Sequence, residues 1–335
     1  MPLERISFDD LYSELKRVLL KKNFDESRAS QCARLFAETD RDGVYSHGIN
    51  RFPRFIAHID AGWVSVSAES SMVFSHGSIE RWDGNLGPGN LNALAATKRV
   101  IELAEKHGMG CVALRNTNHW MRGGSYGWEM ADNGKIGICW TNTIPNMPPW
   151  GAKECFVGNN PLILSVPRAE GNIVLDMAMS LFSYGKMENY ALQGKRLPMP
   201  GGFDLNGNLT DDPAAILEAK HPVAIGYWKG TGLSLMLDLI GIILSGGDSS
   251  MDIGKKESEY GVTQVFLAFD PSIFPDSEKI RSEVMSIVDA LHSLTPSDKN
   301  GKAYYPGERT LLTRIENTEK GIPVDSSVWD SVREM

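Results

Sequence analysis

The sequence predicts an α+β fold, and three observations carry that expectation. Residues 1–70 and 271–335 hold apolar residues at three- and four-residue steps, as amphipathic helices do. Residues 71–270 are instead rich in short apolar runs separated by glycine. No GxGxxG stands between a strand and a helix, so a Rossmann domain is disfavoured. At 335 residues the chain has room for about two domains. The expected arrangement is a discontinuous helical outer domain, 1–70 with 271–335, around a central sheet-containing domain, 71–270.

Taken in order, Phe8, Leu11, Tyr12, Leu15, Val18 and Leu19 mark a first helix, with Ser7 and Asp10 at capping-box spacing. A second helix, from about Glu26 to Thr39, carries Ala29, Cys32, Ala33 and Phe36 on one face and leads into Val44–Phe55. Phe52, Phe55, Ile56 and Ile59 resume helical spacing, and Pro53 fits a first turn, so His47 and Arg51 stand at or just before a helix N-terminus, where anions are favoured. Strands are expected at 71–74, 79–82, 111–114, 136–141, 162–166, 173–178 and 262–269, and a helix at 91–107 ending on Gly108. Pro198–Pro213 reads as a loop. Its Asp204-Leu205-Asn206-Gly207-Asn208 has the glycine misplaced for a calcium loop and reads as a turn. The apolar helix Leu233–Leu244 is expected to be buried on nearly all sides, as the spine of the central domain. Helices at 278–291, 310–320 and around Val328 follow, with a mobile loop at Ser297–Lys302.

Composition narrows the function. A net charge of −8 offers no positive field for nucleic acid. Residues 1–5 open no apolar leader, and Leu233–Leu244 is too short for a bilayer and contains Asp238, so a cytoplasmic protein without membrane partners is expected. Cys32, Cys111, Cys139 and Cys155 lack metal or redox spacing and read as buried thiols.

The densest chemistry is Val44-Tyr45-Ser46-His47-Gly48-Ile49-Asn50-Arg51-Phe52-Pro53-Arg54-Phe55. His47 can exchange a proton near neutral pH and Arg51 can grip a carboxylate with two hydrogen bonds. A proton donor beside an anion clamp suits carbonyl reduction, although a structural histidine in a turn explains the pair as well. His119 follows a buried strand, where sheets present functional side chains, or is a ring packed on Trp120. Asp176, in an apolar strand, needs a partner and could orient an imidazole. Lys229 could meet an anion or be an exposed lysine. Tyr305–Arg309 reads as a turn, as do the glycines of Gly84–Gly89. His58, His76, His107, His221 and His292 read as exposed, none at metal-ligand spacing, so no metal is expected.

Together these tracts resemble a family. Tyr45–Arg54, Asn118-His119-Trp120, Asn159-Asn160-Pro161, Leu175-Asp176-Met177-Ala178, Tyr227-Trp228-Lys229-Gly230 and Pro306-Gly307-Glu308 are similar to the malate/L-lactate/sulfolactate dehydrogenases that lack a Rossmann fold. Within it, Arg115–Trp128 and Met147–Cys155 most resemble the branch that reduces 2,3-diketo-L-gulonate. The resemblance implies a non-Rossmann NAD(P)-binding fold on a mixed, largely antiparallel sheet, a helical domain from both chain ends, and a homodimer. It also implies roles. His47 is the proton donor and His119 lies near the nicotinamide, while Ser46 and Arg51 hold the substrate's carboxylate. Asn172, Ile173, Val174, Leu175, Asp176, Met177, Ala178, Trp228, Lys229, Gly307, Glu308 and Arg309 contact the cofactor. Where relatives can have histidine after Pro-Gly, this chain has Glu308-Arg309. The expected activity is reduction of a small 2-oxo acid, 2,3-diketo-L-gulonate to 3-dehydro-L-gulonate, by NADH, with NADPH the alternative. Malate, lactate, sulfolactate or ureidoglycolate chemistry is the rival within the class. A non-catalytic sugar-acid binder using Arg51, Lys229 and the tryptophans is the rival outside it.

Overall fold

The computed structural model describes residues 3–297 and 301–335. The loop expected at Ser297–Lys302 therefore falls partly on 298–300, outside the described residues. Phe8–Lys21 is helical, and Ser7 caps it by accepting the Asp10 N–H at 3.0 Å. Glu26–Arg41 follows, capped by Asp25, with Ala29, Cys32, Ala33 and Phe36 inside. These faces meet Phe52, Phe55 and Ile56 of the helix Phe52–Asp60 in one core, which Ile322, Val324, Trp329 and Val332 complete. An antiparallel ribbon, Leu3–Ile6 with Ile322–Asp325, ties the two ends of the chain together.

The central sheet has seven strands in the order Ser71–His76, Ile79–Asp83, Met109–Thr117, Val262–Phe269, Ile136–Thr141, Leu162–Val166, Ile173–Met177. Only Ile79–Asp83 with Met109–Thr117 runs parallel, so the sheet is mixed and largely antiparallel. The helices Gly89–His107 and Gly124–Asp132 cover one face, packing Ala96, Val100, Tyr126 and Met130 on Val112, Leu114 and Phe266. Trp228–Ser245 covers the other, where Leu237 meets Ala113, Trp140 and Val265.

That last helix departs from expectation. Its buried residues are Gly230, Thr231, Ser234, Leu237, Asp238, Gly241 and Ser245, while Leu235, Met236, Leu239, Ile240 and Ile243 are exposed. Small residues let its backbone lie close to the sheet, with Gly241 facing Thr263, and the large side chains then point outward. Among the described residues it is the one helix long and apolar enough to cross a membrane.

Between the last sheet strand and this helix the chain makes an excursion with its own small core of Phe182, Met187, Leu197 and Ile216. The expected loop at 198–213 contains a short ribbon, Gly202–Phe203 with Leu209–Thr210. Asp204 closes its turn by accepting the N–H groups of Asn206 and Asn208. In Gly84–Gly89, positive φ falls on Asn85 and Leu86 rather than on the glycines, which are needed instead for close approach to Thr117, Ala68 and Asn118.

Candidate active site

Two carboxylates at the end of the helix Glu26–Arg41 build the His47 loop. Asp40 is fully buried; its Oδ2 accepts the Ile49 N–H at 2.6 Å and its Oδ1 has no partner. Burial pushes this carboxyl well above the usual carboxylate range, so the neutral acid is favoured. A Cβ on Gly48 would overlap the carboxyl group, so only glycine lets the chain lie against it. Asp42, two residues on, meets the opposite fate. Arg122 reaches it at 2.6 Å and Arg314 grips it with two bonds of 2.7 Å. Burial raises its pKa, but the two guanidiniums outweigh that and hold it below its ordinary value. This triad pins the loop after His119 and the helix Glu308–Lys320 to the base of the His47 loop.

From Ile49 a short 3-10 turn passes directly into the helix Phe52–Asp60, with Pro53 in its first turn as expected. Ser46 Oγ lies 2.9 Å from Nδ1 of His47. His119 arrives from the strand Met109–Thr117 through a loop that Asn118 anchors, its Nδ2 donating to the carbonyls of Trp63, Leu86 and Gly87. Trp120 turns into the core against Tyr126 and Phe266, so the ring that faces His119 is His47, at 6.0 Å and 23°. Met121, at φ 65°, donates its N–H to Nδ1 of His119 at 3.0 Å.

The electrostatics distinguish the two imidazoles. Burial lowers the pKa of His47, with Arg51 and Arg122 adding to the effect and Asp176 opposing it. Burial holds His119 well below the ordinary histidine value, with Arg51, His47, Arg54 and His58 all pushing the same way. Arg51 itself is lowered mainly by burial. Asp176 is exposed, and its Oδ2 accepts the Gly124 N–H at 2.9 Å. It orients backbone, and it reaches the imidazole through its charge.

The segments expected to hold a cofactor lie side by side. Ile173–Met177 is the sheet's edge strand, and the Val174 N–H donates to Pro306 at 2.9 Å. Gly307, at φ 92°, presses on Val174, where a Cβ would sit 3.1 Å from its backbone. Asn172 is buried between Asp132 and the Arg168 N–H. Ile225 N–H donates to Met179, which brings Trp228 and Lys229 beside the end of that strand, both exposed at an N-terminus without a side-chain cap. Glu308 differs. Its carboxylate is buried and spent on His292 at 2.9 Å and Lys302 at 2.7 Å, while the Arg309 guanidinium lies over the Tyr304 ring. Two histidines expected in the open are engaged, His292 here and His58 edge-on against Trp63.

The structure thus gathers Ser46, His47, Arg51, His119 and Asp176. Sequence reasoning missed the supports Asp40 and Arg122, because an acid or base inside a helix end or loop carries no local mark of its burial. The signal for Asp40 lay in its place before the Gly43 turn, seven residues ahead of His47.

Comparison with known proteins agrees with this architecture. Residues 6–333 match the family described as Malate/L-lactate dehydrogenase. A 2,3-diketo-L-gulonate reductase of Escherichia coli K12 is 45% identical over 330 residues, covering 98% of this chain and 99% of the relative. The malate dehydrogenase of Entamoeba histolytica superposes with a TM-score of 0.93 at 26% identity, over 99% of this chain and 97% of that one. The sulfolactate dehydrogenase of Methanocaldococcus jannaschii does so at 0.89 and 26%, over 99% and 96%. This chain belongs to the malate/L-lactate dehydrogenase family and is an oxidoreductase of small acids that works with a nicotinamide cofactor.

Proposed function

We propose that the protein reduces 2,3-diketo-L-gulonate to 3-dehydro-L-gulonate with NADH, and that His47 is its proton donor. The observation that carries the assignment is the Met121 N–H bond to Nδ1 of His119. A ring that accepts there keeps its proton on Nε2 when neutral, so His119 is a fixed hydrogen-bond donor to the substrate's oxygen. His47 is the ring that changes charge: burial lowers its pKa, and Asp176 opposes that by supporting the protonated form, a support His119 lacks. It passes that proton to the carbonyl oxygen as it becomes an alcohol. Ser46 steadies the His47 ring, and Arg51 with Ser46 receives the substrate's carboxylate.

The nicotinamide, when bound, supplies the hydride. Asn172 to Ala178, Trp228, Lys229 and Gly307 to Arg309 are the residues that would hold the cofactor. Their fit rests on the uncapped N-terminus of an 18-residue helix with Lys229 in its first turn, which suits a pyrophosphate. It rests also on the edge strand against which Gly307 lies. Glu308 would serve by holding its turn rather than by touch, given its two cationic partners.

The choice of substrate is supported by the full-length relative at 45% identity and by the tracts Arg115–Trp128 and Met147–Cys155. A homodimer is supported by the apolar face Leu235, Met236, Leu239, Ile240 and Ile243, a contiguous patch of the kind that marks protein interfaces. The free cysteines fit a reducing cytoplasm. The core shared by residues 11–64 and 322–332, which Leu91 and Met121 join from the central part, supports a helical domain built from both chain ends, at 1–70 with 271–335, beside the central 71–270.

The test follows NADH absorbance with 2,3-diketo-L-gulonate, oxaloacetate, pyruvate and sulfopyruvate. The expected result is a kcat/KM for diketogulonate at least about 10-fold above the others, the scale of one or two good polar contacts. A higher value for oxaloacetate or sulfopyruvate would move the protein to the malate or sulfolactate group. Oxidation of NADPH but not NADH would change the cofactor, and binding of neither would favour the sugar-acid binder.

A further inference from the structure

Glu259 is a carboxylate with no evident reason to be where it is. It is 8% exposed, its Oε2 accepts only the Ile144 N–H, at 3.2 Å, and among the described residues no cation pairs with it. That one neutral hydrogen bond uses Oε2, and Oε1 has no hydrogen-bond partner among the described residues. The residue stands beside the anion clamp. Ser258 Oγ touches Nε2 of His58 at 3.5 Å, and Tyr260 stacks on Trp63 at 6.1 Å and 9°. The first contact fixes the segment against the helix that begins just after Arg51, the second against the turn that follows that helix. The field of Glu259 is felt at Arg51, together with those of Arg54 and the exposed Glu188.

One further group shares this wall. Asn146, two residues beyond Ile144, has a buried Oδ1 without a partner, and its carbonyl is held by the Tyr184 hydroxyl at 3.1 Å. Glu259 and Asn146 are therefore acceptors short of donors. A molecule gripped at its carboxylate by Arg51 and Ser46, with its ketone at His47 and His119, carries its remaining carbons away from the clamp. Hydroxyl groups on those carbons supply the missing donors. A second carboxylate in the same place would meet like charge.

We propose that Glu259 is a specificity-determining residue, whose carboxylate receives the distal hydroxyls of a polyhydroxy 2-oxo acid and turns a dicarboxylate away. The inference rests on the substrate reading given above and says which side chain enforces it.

Wild type and Glu259→Gln are compared in kcat/KM for 2,3-diketo-L-gulonate and for oxaloacetate, each pair measured on one preparation. The amide keeps the shape and loses the charge. The ratio of diketogulonate to oxaloacetate should fall about 10- to 100-fold, the range for a charged hydrogen bond replaced by a neutral one. The loss should appear in the KM for diketogulonate, and the value for oxaloacetate should rise. Because the ratio comes from one preparation, a partly unfolded variant lowers both values and leaves it unchanged. Glu259→Asp, which keeps the charge on a shorter arm, should still disfavour oxaloacetate. A ratio that stays put, or a proportional fall for both substrates, overturns the assignment. Failure of the wild type itself to reduce diketogulonate overturns the substrate reading, and this inference with it, before any variant is made.

Discussion

The N–H of Met121 donates to Nδ1 of His119 at 3.0 Å, and this bond gives two neighbouring imidazoles different chemistry. His119 is held as a neutral donor, whereas the charge of Asp176 favours the protonated form of His47 against the effect of burial. Replacing His47 by alanine should lower kcat by about 10²- to 10⁴-fold, the contribution of a positioned general acid. NADH affinity, read by fluorescence titration, should stay as it is. His119→Asn should cost less than His47→Ala, and a larger loss in the former would reverse the two roles.

The pH dependence follows from the same pair. In the free enzyme His47 titrates below its ordinary value of about 6.5. Reduction needs its charged form, so kcat/KM for reduction should decline as pH rises through that lowered value, and the reverse reaction should gain. Asp176→Asn removes the charge that supports the imidazolium and should move this limb to lower pH. A limb that does not move would separate Asp176 from the proton donor.

Stability should depend on pH with a definite sign. His47, His58 and His119 all lie below about 6.5 when folded, while the unfolded chain takes up protons at that value. Their contribution is complete above pH 6.5 and is lost as pH falls through the folded values. Asp40 runs the other way, since its folded pKa is raised. Its contribution is complete below the unfolded value of about 3.9 and is lost as pH rises toward the folded one. Asp40→Asn, whose amide oxygen can still accept the Ile49 N–H, should therefore be more stable than wild type at pH 8 by a margin that shrinks toward pH 4. Thermal melts across that range read the difference.

Asp42 joins Arg122 and Arg314 where three parts of the chain meet. Asp42→Ala would leave the buried Arg122 guanidinium without its countercharge. A loss of roughly 3–5 kcal/mol in urea unfolding is expected, the range for breaking a buried pair. A change below about 1 kcal/mol would make the triad equivalent to a surface ion pair.

Ile243, at the C-terminal end of the apolar face of its helix, is that face's most exposed residue at 68%. If that face joins two copies, Ile243→Lys should convert a dimer to a monomer in light scattering at unchanged secondary structure. A wild type that already runs as a monomer would remove the dimer from the description.

Much of the fold was legible because local pattern and tertiary role coincide. Ser7 before Phe8, Gly108 after His107 and the continuous apolar strands at 136–141, 162–166 and 262–269 all sit where their spacing put them. The helix Trp228–Ser245 misled because leucine and isoleucine were read as inward, when glycine and serine were the residues making the close contact. The ribbon Leu3–Ile6 with Ile322–Asp325 went unseen, since four-residue strands far apart in sequence carry too little alternation to register. At the site, His47, Arg51 and His119 were visible as residue types suited to the chemistry. Their supports were not. Whether Asp40 is neutral or Asp42 charged depends on what packs around each, and the two letters are the same.

The core beneath the His47 loop has a further consequence for the order of folding. It is closed by Ile322, Val324, Trp329 and Val332, which leave the ribosome some 270 residues after the loop itself. The helices that carry the proton donor thus wait, with an open apolar face, until translation has passed the whole sheet. A nascent chain of this protein becomes a catalyst only once those four residues have emerged to close that face.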